Sequence, residues 1–202
     1  MPTSVSALFS RSSLSIGGQV GWGGKVLDDH PGVYVVSVSP SPDETRNQYG
    51  NEPPIDLNVI REWINRVPRL ALDGKQATPN ELWKRLAGFW LSDEPILYIG
   101  KAGTSLRTRI GQYFRTPLGD KRPHAGGHWL KTLSVLDGLH VHWALTSRAD
   151  EVEDGLLKMF VAGVSKGTRK KLLDPDRPFP FANLEYPNGN RKAHGINGAV
   201  NR

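Results

Sequence analysis

The sequence predicts an α+β fold, and three observations lead to it. Three short runs read as strands: GVYVVSV at 32–38, ILYIG at 96–100 and LHVHWAL at 139–145. They are β-branched or alternating, and turn residues bound them. Four other stretches repeat apolar residues at helical spacing. The chain shows no internal repeat, and its 202 residues suffice for one domain with a sizeable core.

Each element has its own signal. Residues 1–30 are rich in Ser and Gly, and GGQVGWGG suggests a flexible N-terminal arm. The strand at 32–38 follows Pro31. Residues 40–94 read as a largely helical insertion. Its first helix, near 56–67, places Leu57, Ile60, Ile64 and Val67 on one stripe. Its second, near 79–91, opens on Thr78-Pro79-Asn80-Glu81, a capping box with Pro at the first helical position. A helix from Ser105 to Arg115 follows the second strand. Another, from about Arg148 to Val161, follows the third, with Thr146 or Ser147 as its cap. The remainder reads as irregular, ending in a basic, flexible tail over 186–202.

Composition narrows the function. There is no cysteine, so disulfides and thiolate metal sites are excluded. No apolar run reaches the length of a membrane span or a signal-peptide core, and a soluble cytoplasmic protein is the expectation. The net charge is +6 and unevenly spread. Residues 101–131 hold seven cations (Lys101, Arg107, Arg109, Arg115, Lys121, Arg122, Lys131) against Asp120 alone, whereas 40–94 is net acidic. A concentrated positive segment suits a phosphate backbone. His124, His128, Lys170 and Lys171 belong with those cations as backbone contacts, or are plain solvated loop residues. His140 and His142 share a strand face, but no third zinc ligand stands at a suitable spacing.

Two helices carry a charge where a core residue belongs. Leu106, Arg109, Ile110 and Tyr113 form one face, and Ala149, Glu153, Leu156, Leu157 and Phe160 form another. A charge on a buried face must be paired or hold a metal. Arg109 and Glu153 therefore either form a structural salt bridge or line a cleft. Tyr34 and Tyr98 sit on predicted strands, where core packing is an equally natural role.

Gly32-Val33-Tyr34, Tyr98-Ile99-Gly100, Leu106-x-x-Arg109-Ile110, Glu153-x-x-Leu156-Leu157 and the late Asn183 occur in an order that resembles the GIY-YIG nuclease superfamily. The run YIGKAGTSLRTRIGQYF is especially similar to the nuclease domain of bacterial excision-repair enzymes. The chain departs from the pattern in one respect: 63 residues separate Tyr34 from Tyr98, where the family has a short connection. The resemblance implies a small, mainly antiparallel three-stranded sheet flanked by helices, spanning 31–185 with 40–94 inserted. It also implies a divalent-metal-dependent endonuclease acting on DNA. Glu153 would hold Mg²⁺ or Mn²⁺ and Arg109 would face the phosphate. Tyr34 would orient or deprotonate water with help from Lys101. Tyr98 and Tyr113 would position water or phosphate, and Asn183 would orient the site. A compact enzyme of restriction, phage or mobile-element type is the expectation, with a homodimer as one way to cut both strands. A binding module that keeps the fold without catalysis is the rival reading.

Overall fold

The computed structural model describes residues 2–123, 127–186 and 189–199. The fold is α+β. Four strands form the central antiparallel sheet: β1 (Gly18–Gly21), β2 (Gly32–Ser37), β5 (Ile96–Ala102) and β6 (His140–Leu145), in the order β1-β6-β2-β5. The sheet has one strand more than expected, because part of the supposed N-terminal arm pairs with β6.

β2 is buried along its whole length. It lies between β6 and β5, and helices cover both faces. Val33 and Val35 pack towards α1 (Val5–Arg11) and α5 (Ala149–Gly163). Tyr34 and Val36 pack towards α2 (Leu57–Arg66), α3 (Pro79–Ala87) and α4 (Leu106–Arg115). This explains why the strand reads as a near-continuous apolar run, a pattern typical of sheets covered on both sides.

The helices begin where the caps predict. Thr78 and Glu81 form the capping box of α3, and Ser105 caps α4 by accepting from Thr108 N. The start of α5 differs. Arg148 is its N-cap without a side-chain bond, and Thr146 Oγ1 accepts from Arg148 N at 3.1 Å just before it.

Both chain ends depart from expectation. The 1–30 segment is not a loose arm: α1 buries Val5, Leu8 and Phe9 against α5. The tail is not free either. β7 (Ile196–Asn197) pairs with β3 (Ala71–Leu72), which pairs with β4 (Lys75–Gln76). Lys192 is buried, donating to the carbonyls of Pro180 at 2.8 Å and Phe181 at 2.9 Å. The KGTRKK run, expected to be irregular, forms α6 (Lys166–Lys171), capped by Ser165. Among the described residues, no helix is long and apolar enough to cross a membrane.

Candidate active site

Pairing of β2 with β5 sets Tyr34 directly opposite Gly100. Tyr98 lies two residues earlier on the same face. A Cβ on Gly100 would stand 2.7 Å from Tyr98 Cε1 and 2.8 Å from Tyr34 Cζ. The glycine therefore makes room for two aromatic rings. Tyr113, from α4, completes the cluster, with ring centroids 5.3 Å from Tyr98 and 6.3 Å from Tyr34. The Tyr34 and Tyr98 hydroxyls are hydrogen-bonded to each other. The Tyr113 hydroxyl donates to Gly127 O at 2.7 Å, and Gly127 has a left-handed φ of 67° that a side chain would strain.

Burial pushes the pKa of all three tyrosine hydroxyls well above its ordinary value, so they stay protonated. For Tyr98 the negative charge of Glu153 adds to this, while Arg109 and the bond with Tyr34 oppose it. Tyr34 has no exposed surface. Its hydroxyl is withdrawn from bulk solvent, whereas the expected role of orienting or deprotonating water calls for an open position. Tyr98 is the member of the cluster that lines a cleft.

That cleft, about 320 Å³, runs beside the outer edge of β5, with Tyr98, Glu153, Asn183, Tyr186 and Arg191 among its walls. Asn183 is buried and holds the strand edge at two points. Its Nδ2 donates to Ile99 O at 2.8 Å, and its Oδ1 accepts from Ile99 N at 2.9 Å. The carboxamide thus takes the place of a neighbouring strand and fixes the residue between Tyr98 and Gly100. Without such cover an edge strand leaves its backbone groups open.

Glu153 has only 14% of its side chain exposed, and Lys101 Nζ lies 2.9 Å from its Oε2. The same ammonium lies 2.7 Å from Asp150 Oδ1. Burial raises the Glu153 carboxyl above its ordinary value, and Lys101 offsets this only in part. Although burial works against its charge, the bonds to Asp150 and Glu153 lift Lys101 above its own ordinary value. Lys101 was expected to activate a tyrosine; it neutralises two carboxylates instead. Arg109 is half-buried and donates to Pro123 O at 3.2 Å, and its positive charge reaches Tyr34, Tyr98 and Glu153. The partner of Glu153 is thus Lys101 and not Arg109. A second hollow, about 350 Å³, is lined by Lys101, Ser105, Thr108 and Arg109. Glu153 lines the first hollow and its partner Lys101 the second, so their ion pair is a shared boundary.

The expected nucleic-acid contacts divide. Arg115, Lys121 and Arg122 are exposed. Arg107 is exposed but bound to Asp29. Lys131 is not a surface contact: its Nζ donates to Tyr113 O at 2.7 Å and Phe114 O at 3.3 Å, and also to Thr116 O. It caps the C-terminus of α4, and burial brings its pKa down to about 8. His128 is buried, contrary to expectation, and His124 lies outside the described residues. Lys170 and Lys171 are exposed on α6, but α6 is tied through Thr168 to Asp93, just before β5. They stand towards the other end of that strand from Lys101. His142 is fully buried, with Nε2 3.1 Å from both Ser37 Oγ and Ser39 O. Among the described residues, no three His, Cys, Asp or Glu side chains gather into one cluster.

Asp150 escaped the sequence reading. Its signal was its place one helical turn before Glu153, on the strand-facing side of α5.

Comparison with protein-family models, with curated proteins and with solved structures finds no significant match to this chain.

Proposed function

We propose that this protein is a divalent-metal-dependent endonuclease of the GIY-YIG type that hydrolyses phosphodiester bonds in DNA. One observation carries the reading. Tyr34, Tyr98, Lys101, Arg109, Tyr113 and Glu153 come from four elements, and they converge at one edge of the sheet despite the 63 residues inserted between the two tyrosines. The ordered motifs and this convergence are separate supports, because sequence order alone does not oblige residues to meet.

The donor set suits a hard cation. Glu153 already holds one cation, the Lys101 ammonium, 2.9 Å from its Oε2. Oxygen donors, few in number, suit Mg²⁺ or Mn²⁺. Glu153 would hold such a metal, which when bound supplies positive charge to the phosphate. The chain's own residues do the rest. Arg109 would neutralise charge growing on the phosphoryl oxygens. The Tyr98 hydroxyl, held by Tyr34, would position water or phosphate as a neutral hydrogen-bonding group. Asn183 and Tyr113 fix the strand and the ring that carry it. Arg115, Lys121 and Arg122 would meet the DNA backbone.

Supercoiled plasmid incubated with Mg²⁺ or Mn²⁺ tests the proposal. The wild type should nick or linearise it, and Glu153→Ala should not, while keeping its circular dichroism and melting behaviour. Full cleavage by a folded Glu153→Ala protein would sink the assignment. Salt-dependent DNA binding without cleavage under either metal would favour the non-catalytic binding module.

A further inference from the structure

Lys101 Nζ makes two ionic contacts of nearly equal length, to Asp150 Oδ1 at 2.7 Å and to Glu153 Oε2 at 2.9 Å. The two carboxylates differ greatly in surroundings. Asp150 has 83% of its side chain exposed and Glu153 only 14%. Water can solvate Asp150 without help, so the contact does little for Asp150 itself. Its consequence falls on Lys101, whose ammonium has a foothold outside the cleft as well as one inside.

We propose that Asp150 is a positioning residue: it gives Lys101 an outer anchor to retain when a divalent cation takes its place on Glu153. This rests on the reading of Glu153 as the metal-holding residue. The geometry makes the exchange a short one. A buried carboxylate without a counterion is costly, so Glu153 keeps Lys101 until another cation arrives. When it does, Lys101 gives up its bond to Glu153 and keeps its bond to Asp150. The long, flexible lysine stem makes that possible with the backbone fixed. Two like-charged cations would otherwise compete for one carboxylate at contact distance.

The signs of the effects separate this role from direct ligation. Removing the competitor, by Lys101→Met, should tighten Mn²⁺ binding, on the order of fivefold for a half-buried ion pair. Removing the anchor, by Asp150→Asn, should weaken Mn²⁺ binding to a similar extent, because Lys101 then has only Glu153. In the double variant the Asp150→Asn change should have almost no further effect, since the lysine it serves is gone.

Mn²⁺ affinity of the full chain, read by electron paramagnetic resonance of free Mn²⁺ and by calorimetry without DNA, is the measurement. Non-additivity of the two changes supports the proposal. Equal weakening by Asp150→Asn with and without Lys101 would overturn it and make Asp150 a ligand in its own right. No effect of Asp150→Asn in either background would overturn it as well. The underlying reading fails differently: the Mn²⁺ affinity of Glu153→Gln would then equal that of the wild type.

Discussion

The two ends of β5 make an instructive pair. Each has a carboxylate mostly withdrawn from water, and each has lysines on itself or on a neighbouring element. At the leading end Glu94 is 2% exposed and accepts from Thr3 N at 3.2 Å. Lys170 and Lys171 sit on the neighbouring α6 but turn to solvent. At the trailing end Glu153 borders an open cleft, and Lys101 bonds it directly. Burial raises both carboxyls, Glu94 to about 6. The closed end uses its carboxylate to hold the N-terminal segment. The open end pairs its carboxylate with the Lys101 ammonium beside a cluster of hydroxyls. Access and counterion separate a clasp from a candidate site.

The largest expected difference between the two ends is catalytic. Arg109→Ala should lower cleavage by about 10²- to 10³-fold, the usual loss when a group that stabilises transition-state charge is removed. The double change Lys170→Ala with Lys171→Ala should leave the rate within a few-fold. Single-turnover cleavage of a labelled duplex measures both. A large loss from the α6 pair with an intact Arg109 response would move the nucleic-acid path to the closed end.

Next in size is the ring cluster that backs the open end. Gly100→Ala places a methyl 2.7 Å from Tyr98 Cε1 and 2.8 Å from Tyr34 Cζ. Tyr34 has no exposed surface and packs against Tyr98 and Tyr113, so its ring has little room to swing away. Overpacking of this kind costs about 1–3 kcal/mol. Urea denaturation should show that loss. Wild-type stability in Gly100→Ala would mean that the cluster is looser than the packing implies.

The closed end gives a pH signature with a definite sign. The Glu94 carboxyl is raised from 4.5 to about 6 in the folded chain. The folded state therefore binds the proton more tightly than the unfolded state. The associated stability is full below the unfolded value and is lost as pH rises through the folded value. A shift of this size corresponds to about 2 kcal/mol. Glu94→Gln keeps an acceptor for Thr3 N and removes the charge. Relative to wild type it should gain about that amount between roughly pH 4 and pH 8, read from denaturant midpoints. Parallel profiles for the two proteins would show that Glu94 is better solvated than its burial suggests.

Much of this was legible in the sequence, for identifiable reasons. The strand and helix elements of the core carried local signals: the Thr78–Glu81 capping box, the apolar stripe around Arg109, the alternation from Leu139 to Leu145. Glu153 was visible because a charge interrupts an apolar stripe. The sequence was silent where the decisive contact is long-range. Nothing near Lys101 announces that its ammonium meets α5, about fifty residues on. Gly- and Ser-rich composition suggested a loose N-terminus, yet Val5, Leu8 and Phe9 dock on α5 and β1 pairs with β6. Likewise Lys131 and His128 read as phosphate contacts or solvated loop residues, yet the fold buries His128 and ties the Lys131 ammonium to the end of α4.

The smallest predicted effect separates cations that only count from cations that touch DNA. Lys121 and Arg122 are exposed, so each neutralised to Ala should lower the magnitude of the salt slope of binding by about 1. Lys131→Met should leave the slope unchanged, although it removes the same formal charge from the same segment. Its cost should fall on the fold, about 1–2 kcal/mol, because the carbonyls of Tyr113, Phe114 and Thr116 lose their shared donor. Fluorescence anisotropy of a labelled duplex over a salt series, with Ca²⁺ in place of Mg²⁺, measures the slopes. Equal slope changes for Lys121→Ala and Lys131→Met would mean that DNA draws Lys131 off the end of α4. The helix C-terminus and the bound strand would then compete for one ammonium, the mirror image of the competition proposed between Lys101 and a metal for Glu153 at the open end of β5.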